Sequence, residues 1–323
     1  MIVAFHTNQL GERGTEVALF DFAHYNEALL GNQSIVLTPQ PADQAHPDVR
    51  KRFHDRFEVI HYKDATRLEK DILVPKGADV FYNIKRGMPD EVDIREVKFC
   101  VHAVFRANHP HGDVYAYISE WLARHMAGEE GRWVPLIVHK PASDEDLRSE
   151  LGIPRDAIVF GRYGGAATFN VKGVREAVLN VARRRRDIHF VLLNTPLRPP
   201  RFRSMPENIH FLPVTIDPIG RSRFINTCDA MLHARRSGET FGLACAEFSA
   251  HNKPVITYAK SKCKAHIENL QGRAITYRSR RELKKILLGF RRPDPSENWD
   301  VVTDAFSPER VMRKFNEVFL AGA

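Results

Sequence analysis

Two carboxylates eight positions apart, Glu239 and Glu247, flank a turn and the start of a short helix. Gly238 and Gly242 bracket the turn, and a run of small and apolar residues, 243–250, follows with good helix formers. Asn252 and Pro254 stop that run, and the apolar residues 255–258 have the pattern of a buried strand. If the helix begins near Phe241, Glu247 lies roughly 9 Å further along its axis. The N–H groups of Thr240, Phe241, Gly242 and Leu243 then open the helix without intrahelical partners, an anion site suited to phosphate. Carboxylates beside such a site accept hydrogen bonds from sugar hydroxyls, because an ionised carboxylate only accepts. Phosphate next to a polyol describes a nucleotide sugar. The same residues also fit a buried helix flanked by two solvated glutamates, and the stretch alone leaves both readings open.

The stretch resembles the Glu–seven residues–Glu motif of the retaining glycosyltransferases of family 4, which have the GT-B architecture. Ser237, Glu239, Phe241, Gly242, Glu247, Pro254, Val255 and Ile256 fall where that pattern places them. Further positions match it. Gly161 and Arg162 end the apolar run 157–160, and Lys172 and Gly173 follow a short loop later. Arg13, Gly14, Thr15 and Glu16 stand where the family has Gly-Gly, then Thr or Ala, then Glu, so Arg13 replaces the first glycine. His102 matches the family's N-domain histidine at a strand end.

The resemblance implies roles. Arg162 and Lys172 hold the donor diphosphate: breaking the glycosidic bond builds charge on the leaving phosphate, and fixed cations stabilise it as it grows. Arginine supplies a planar fork, lysine a point charge. Glu239 binds sugar hydroxyls and Glu247 the ribose. His102 lies near the transferred sugar, while Gly14 and Thr15 approach the donor phosphate or the acceptor. Pro213 and Val214 sit in the loop that lends backbone groups to the base, with proline where glycine is frequent. Arg235 and Arg236 stand beside the phosphate site, facing ligand or solvent. No nucleophile is evident, so the implied route is same-face transfer of a hexose-like sugar to a glycan or lipid-linked acceptor. No cofactor is expected beyond the nucleotide-diphosphate sugar as substrate, and divalent metal is dispensable because the cations do its charge work. Taken singly, each cation is also a surface charge and each strand-end histidine also a structural hydrogen bond. Two other functions stay open: a catalytically silent nucleotide-sugar binding protein, and a basic nucleic-acid-binding protein, although no motif for nucleic acid accompanies the charge.

Apolar runs at residues 2–5, 34–38, 58–61, 78–82, 97–101 and 114–118 recur at α/β spacing, and again at 157–160, 189–193, 208–212, 230–234 and 255–258. The first is followed by a loop with Gly11 and Gly14 and a helical pattern, the opening of a doubly wound fold, but the glycines do not fit Gly-x-Gly-x-x-Gly. We expect an α/β chain of GT-B type, two Rossmann-like doubly wound domains facing a cleft. Residues 1–139 form the acceptor-side domain. Residues 140–155, charged and carrying Pro141 and Pro154, form a linker. Residues 156–305 form the nucleotide-sugar domain. Residues 306–323 form an amphipathic helix, capped by Ser307, that packs back across the domain junction.

A net charge of +8 favours anionic partners. The run of arginines at 183–186 closes a helical pattern that begins at Val174, where basic residues complement the dipole; an anionic membrane surface is the other reading, as a peripheral contact. No apolar run reaches the length of a membrane span, and the N-terminus enters a strand with no leader pattern, so the expected location is cytoplasmic. Cys100, Cys228, Cys245 and Cys263 are scattered and read as small core residues. His109, His111 and Asp113 lack closed metal spacing.

Overall fold

The computed structural model describes residues 1–11, 14–40, 46–199, 201, 204–294 and 296–322. Two compact units divide the chain, one made of Met1–Ile137 and Phe306–Ala323, the other of Val138–Ala305.

In the first unit the strands are β1 (Ile2–His6), β2 (Gln33–Pro39), β3 (Glu58–Tyr62), β4 (Val80–Lys85), β5 (Lys98–Ala103) and β6 (Val114–Tyr117). They form one parallel sheet in the order β3-β2-β1-β4-β5-β6. Helices α1 (Gly14–Ala28), α2 (Pro47–Arg56) and α3 (Glu120–Ala127) connect or follow them. A parallel sheet covered on both faces needs near-continuous apolar strands, and β4 is buried along its whole length. Ser119 starts α3 as read from the sequence, its Oγ accepting from the Leu122 N–H at 3.1 Å.

The second unit repeats the plan. Its main sheet contains β7 (Ile158–Arg162), β8 (Ile188–Leu193), β9 (Ile209–Leu212), β10 (Ala230–Leu232), β12 (Val255–Tyr258) and β14 (Ala274–Tyr277), in the order β14-β12-β10-β7-β8-β9. A two-strand ladder joins β11 (Gly238–Glu239) to β13 (Cys263–Lys264). The helices are α4 (Val174–Arg184), α5 (Pro218–Thr227), α6 (Leu243–Ala250), α7 (Ala265–Glu268) and α8 (Arg280–Gly289). Alternation along the strands sorts the core: Phe160, Phe190 and Leu192 pack with α4 and α8, and Val159, Val191 and Leu193 with α5 and α6. In both units the order reverses beside the first strand, between β1 and β4 and between β7 and β10. Open α/β sheets bind ligands at the carboxyl ends of the strands at this switch point.

The last helix, α9 (Pro308–Phe315), runs into a wider turn at Asn316–Leu320 and belongs to the first unit. Phe315 lies 5.1 Å from the Phe22 ring and 5.1 Å from Tyr82, and Phe319 lies 5.2 Å from Tyr82. Ser307 caps it, as expected.

Residues 140–155 differ from the linker reading. They lie inside the second unit, tied to α5 by the Ala142 N–H to Ser222 Oγ (2.9 Å) and the Leu147 N–H to Thr227 Oγ1 (2.8 Å). Arg148 pairs with Asp229 at 3.0 Å. Charge and proline content marked the segment as irregular; its hydrogen bonds to distant side chains are not in that local pattern. Helix α4 also ends before the arginine run does: Arg185 caps it and pairs with Asp187 at 2.5 Å. Among the described residues no helix is long and apolar enough to cross a membrane, and no group of three or more His, Cys, Asp and Glu could hold a metal ion.

Candidate functional site

At the switch point of the second unit β7 ends in Arg162, whose side chain is 1% exposed. Its Nη2 donates to Thr168 Oγ1 at 2.6 Å, and the guanidinium carbon stands 5.7 Å from the centre of the Phe169 ring. Its Nε and Nη1 have no hydrogen-bond partner among the described residues. Burial pulls the group down to about 10, the Glu239 carboxylate pulls the other way, and Arg162 stays charged at neutral pH. A buried cation with unfilled donors is costly unless an anion completes it.

Neighbouring β10 leads into His233 and then to Glu239 in β11. Glu239 is partly buried and paired on both oxygens: Oε1 lies 3.2 Å from His233 Nε2, and Oε2 lies 2.5 Å from Arg235 Nη1. Burial alone would raise this carboxyl, but the His233 and Arg235 interactions outweigh it and hold the group below the usual range. Gly238 (φ +68°) allows the turn; a Cβ there would sit 1.8 Å from the Cys263 carbonyl oxygen, so only glycine fits against β13. The loop before α4 is stitched to the same segment. The N–H groups of Asn170 and Val171 both donate to the Ala234 carbonyl (3.0 and 3.1 Å), and the Arg236 N–H donates to Asn170 Oδ1 at 2.8 Å. Lys172 follows directly, exposed and without a hydrogen bond or ion pair among the described residues. Arg162, Glu239, Arg235 and the loop carrying Lys172 thus gather at the carboxyl ends of β7 and β10.

No family model matches the chain, and no curated protein sequence does. Solved structures match over its full length. A glycosyltransferase from Rickettsia africae ESF-5 has a TM-score of 0.69 at 14% identity, covering 100% of this chain and 99% of that one. Anabaena Alr3699/HepE, in complex with UDP and glucose, has a TM-score of 0.68 at 12% identity with 99% of each chain covered. WaaG, a glycosyltransferase involved in lipopolysaccharide biosynthesis, has 0.65 at 16% identity, covering 99% of this chain and 100% of that one. The fold is GT-B.

Within this GT-B chain the remaining expected positions fall as follows. Helix α6 begins at Leu243, not near Phe241, because Gly242 takes a left-handed conformation (φ 94°) and caps it. This corrects the set of first-turn N–H groups to those of Leu243, Ala244 and Cys245; Thr240, Phe241 and Gly242 precede the helix. Glu247 lies in α6 with a fixed partner, Oε1 standing 3.1 Å from Arg221 Nε, and its side chain is 12% exposed. Both acids therefore have fixed ion-pair partners, with side chains 22% (Glu239) and 12% (Glu247) exposed. Gly161 serves packing: a Cβ there would meet Cys228 Sγ at 2.3 Å and Phe248 at 2.9 Å. Pro213 and Val214 are exposed in the loop after β9, the edge strand, beside exposed Phe211. Gly14 is exposed at the start of α1, and Thr15 Oγ1 donates to Glu16 Oε2 at 2.8 Å. Arg13 lies outside the described residues.

His102, expected at an open sheet edge beside the sugar, is instead in the core of the first unit. It has no exposed surface, with Nδ1 2.6 Å from Tyr82 Oη and Nε2 2.9 Å from the Val134 carbonyl. Burial lowers it to about 4, so it is neutral, and the α9 extension covers it, Phe319 lying 5.2 Å away. The same strand-end rule, applied to β10, points to His233, which sequence reading passed over. At the switch point of the first unit stand His6 and Asn83, directly paired in register, and Lys85 two residues on. All three are buried; His6 Nδ1 and both Asn83 side-chain polar atoms lack hydrogen-bond partners among the described residues, and Lys85 Nζ is 2.9 Å from Asp90. Arg221 had no sequence signal at all.

Proposed function

We propose that the chain is a glycosyltransferase that moves a sugar from a nucleotide-diphosphate donor to an acceptor hydroxyl, with retention at the anomeric carbon and without a divalent metal. The observation that carries this reading is Arg162: a buried guanidinium with two unfilled nitrogens, at the switch point of an α/β sheet, beside a fixed carboxylate. Arg162 and Lys172 take the diphosphate, and the first-turn N–H groups of α6 add donors. Glu239 accepts from the sugar hydroxyls. Glu247, with Arg221, lies on the ribose side, and the loop at Pro213 and Val214 on the base side. His102 has no part in this chemistry, since both its ring nitrogens are occupied in the core.

In the reaction the bond from the anomeric carbon to the donor phosphate oxygen breaks, and a bond to the acceptor oxygen forms on the same face. The acceptor proton passes to the leaving phosphate. Negative charge grows on that phosphate, where Arg162 and Lys172 are assigned to stabilise it. The acceptor, a glycan or lipid-linked sugar, is assigned to the first unit, where His6 and Asn83 offer unfilled polar groups beside the Lys85–Asp90 pair; a lipid-linked acceptor fits peripheral contact to an anionic membrane. The relation to HepE, solved with UDP and glucose, makes UDP-glucose the first donor to test. A thermal-shift panel of UDP, GDP, ADP and their sugars, followed by a donor-hydrolysis assay with EDTA present, tests the reading. A melting point unmoved by every nucleotide would refute it; binding with neither hydrolysis nor transfer would reduce it to a binding protein.

A further inference from the structure

Glu239 is held by more than its ion pair. Its backbone N–H points at His266 Nδ1 (3.4 Å), His266 Nε2 lies 3.0 Å from Thr257 Oγ1, Thr257 Oγ1 lies 2.8 Å from His233 Nδ1, and His233 Nε2 lies 3.2 Å from Glu239 Oε1. The contacts close a ring that begins and ends on one residue. The two ring members not on Glu239's own loop come from the end of strand β12 and from α7, and all three side chains are buried, His233 2%, Thr257 0% and His266 1% exposed.

Chemistry gives this ring a single direction. An amide N–H can only donate, so His266 Nδ1 is the accepting nitrogen. A carboxylate can only accept, so His233 Nε2 carries a proton. Each imidazole is neutral, as burial lowers both. His266 therefore donates from Nε2 to Thr257 Oγ1, and the Thr257 hydroxyl donates to His233 Nδ1. Every donor has an acceptor and both tautomers are specified. With Arg235 on Oε2 and His233 on Oε1, the carboxylate is held at both oxygens. Gly242 is part of the same construction: a Cβ there would stand 2.5 Å from His266 Cβ.

We infer that His233, Thr257 and His266 are positioning residues whose one-way hydrogen-bond ring sets the Glu239 carboxylate for the hydroxyls of the donor sugar. This rests on the reading of Glu239 as the sugar-binding acid. Thr257→Val removes the hydroxyl with almost no change of shape, and Thr257→Ser keeps it. Isothermal titration with UDP and with UDP-glucose separates the nucleotide from the sugar. Thr257→Val should bind UDP like the wild type and lose about 5- to 20-fold of the extra affinity conferred by glucose, the scale of one oriented hydrogen bond; Thr257→Ser should restore it. Should the valine variant fail to fold, His233→Gln (donor to Glu239 kept) and His233→Asn (donor lost) provide the same contrast. Side-chain ¹⁵N spectra of the ligand-free wild type should show both imidazoles as Nε2–H tautomers. An Nδ1–H tautomer in the wild type, or an unchanged glucose increment in both Thr257→Val and His233→Asn, overturns the inference. Correct tautomers with no binding of any nucleotide sugar would instead bring down the functional reading and, with it, the purpose assigned to the ring.

Discussion

Replacing Arg162 by methionine separates function from stability in a way few substitutions can. Burial pulls the guanidinium well below its ordinary value, to about 10. At about 1.4 kcal/mol per pH unit, holding it charged costs the ligand-free fold about 3 kcal/mol. Against this stand one hydrogen bond to Thr168 and the contact with the Phe169 ring, about 1 kcal/mol each. Methionine has similar length, no charge to desolvate, and a thioether that packs on an aromatic ring. Ligand-free Arg162→Met should therefore melt higher than the wild type, by roughly 2–8 °C for a gain of about 1–2 kcal/mol in a unit of this size. Turnover should drop about 10²–10³-fold, the loss for one transition-state donor. The stabilisation that UDP confers on the wild type, about 2.7 kcal/mol at a hundred times its Kd, should largely vanish. Differential scanning fluorimetry with and without UDP, alongside a turnover assay, reads all three. A variant that melts below the wild type without ligand, or that keeps the full UDP shift, would refute the idea that Arg162 is a buried charge waiting for a phosphate.

Lys172→Ala should cut turnover by about 10²–10³-fold yet leave the melting point within about 1 °C, since the exposed side chain makes no described contact; a near-normal rate removes it from the phosphate site. Gly238→Ala forces a Cβ to 1.8 Å from the Cys263 carbonyl oxygen at φ +68°, and strain plus overpacking should destabilise the second unit by about 2–5 kcal/mol, read by urea unfolding; a wild-type midpoint would mean that β11 and β13 do not pair. Acid should also be felt. His6 and His102 are pulled by burial to about 4 and His266 to about 3. The unfolded chain protonates these near pH 6.5 while the fold does not, so stability is flat above pH 6.5. It falls by about 1.4 kcal/mol per histidine per pH unit as pH drops from there towards 4. A melting point constant from pH 8 to pH 4.5 would contradict their neutral burial.

Much of this molecule is decided locally. The apolar runs that became β1 to β10 and β12, the serine caps at Ser119 and Ser307, and the amphipathic stripe of α9 follow from spacing along a few residues, because strand and helix periodicity is a property of neighbours in the chain. The pairing of Gly-Arg, Lys-Gly and Glu–seven–Glu on one unit was legible for the same reason: each motif is short. Tertiary structure decided the rest. Two strand-end histidines look alike in sequence, yet His102 is closed over by Phe319 from the far end of the chain and His233 is aimed at Glu239. Residues 140–155 look like a linker until Ser222 and Thr227 take their N–H groups. The start of α6 was set two residues late by the left-handed Gly242, which His266 packs beneath. A ring through residues 233, 239, 257 and 266 joins four segments that share no periodicity. Side chains so far apart in the chain become neighbours only when the sheet brings the ends of β10 and β12 together, and pairing of that kind leaves no trace in local spacing.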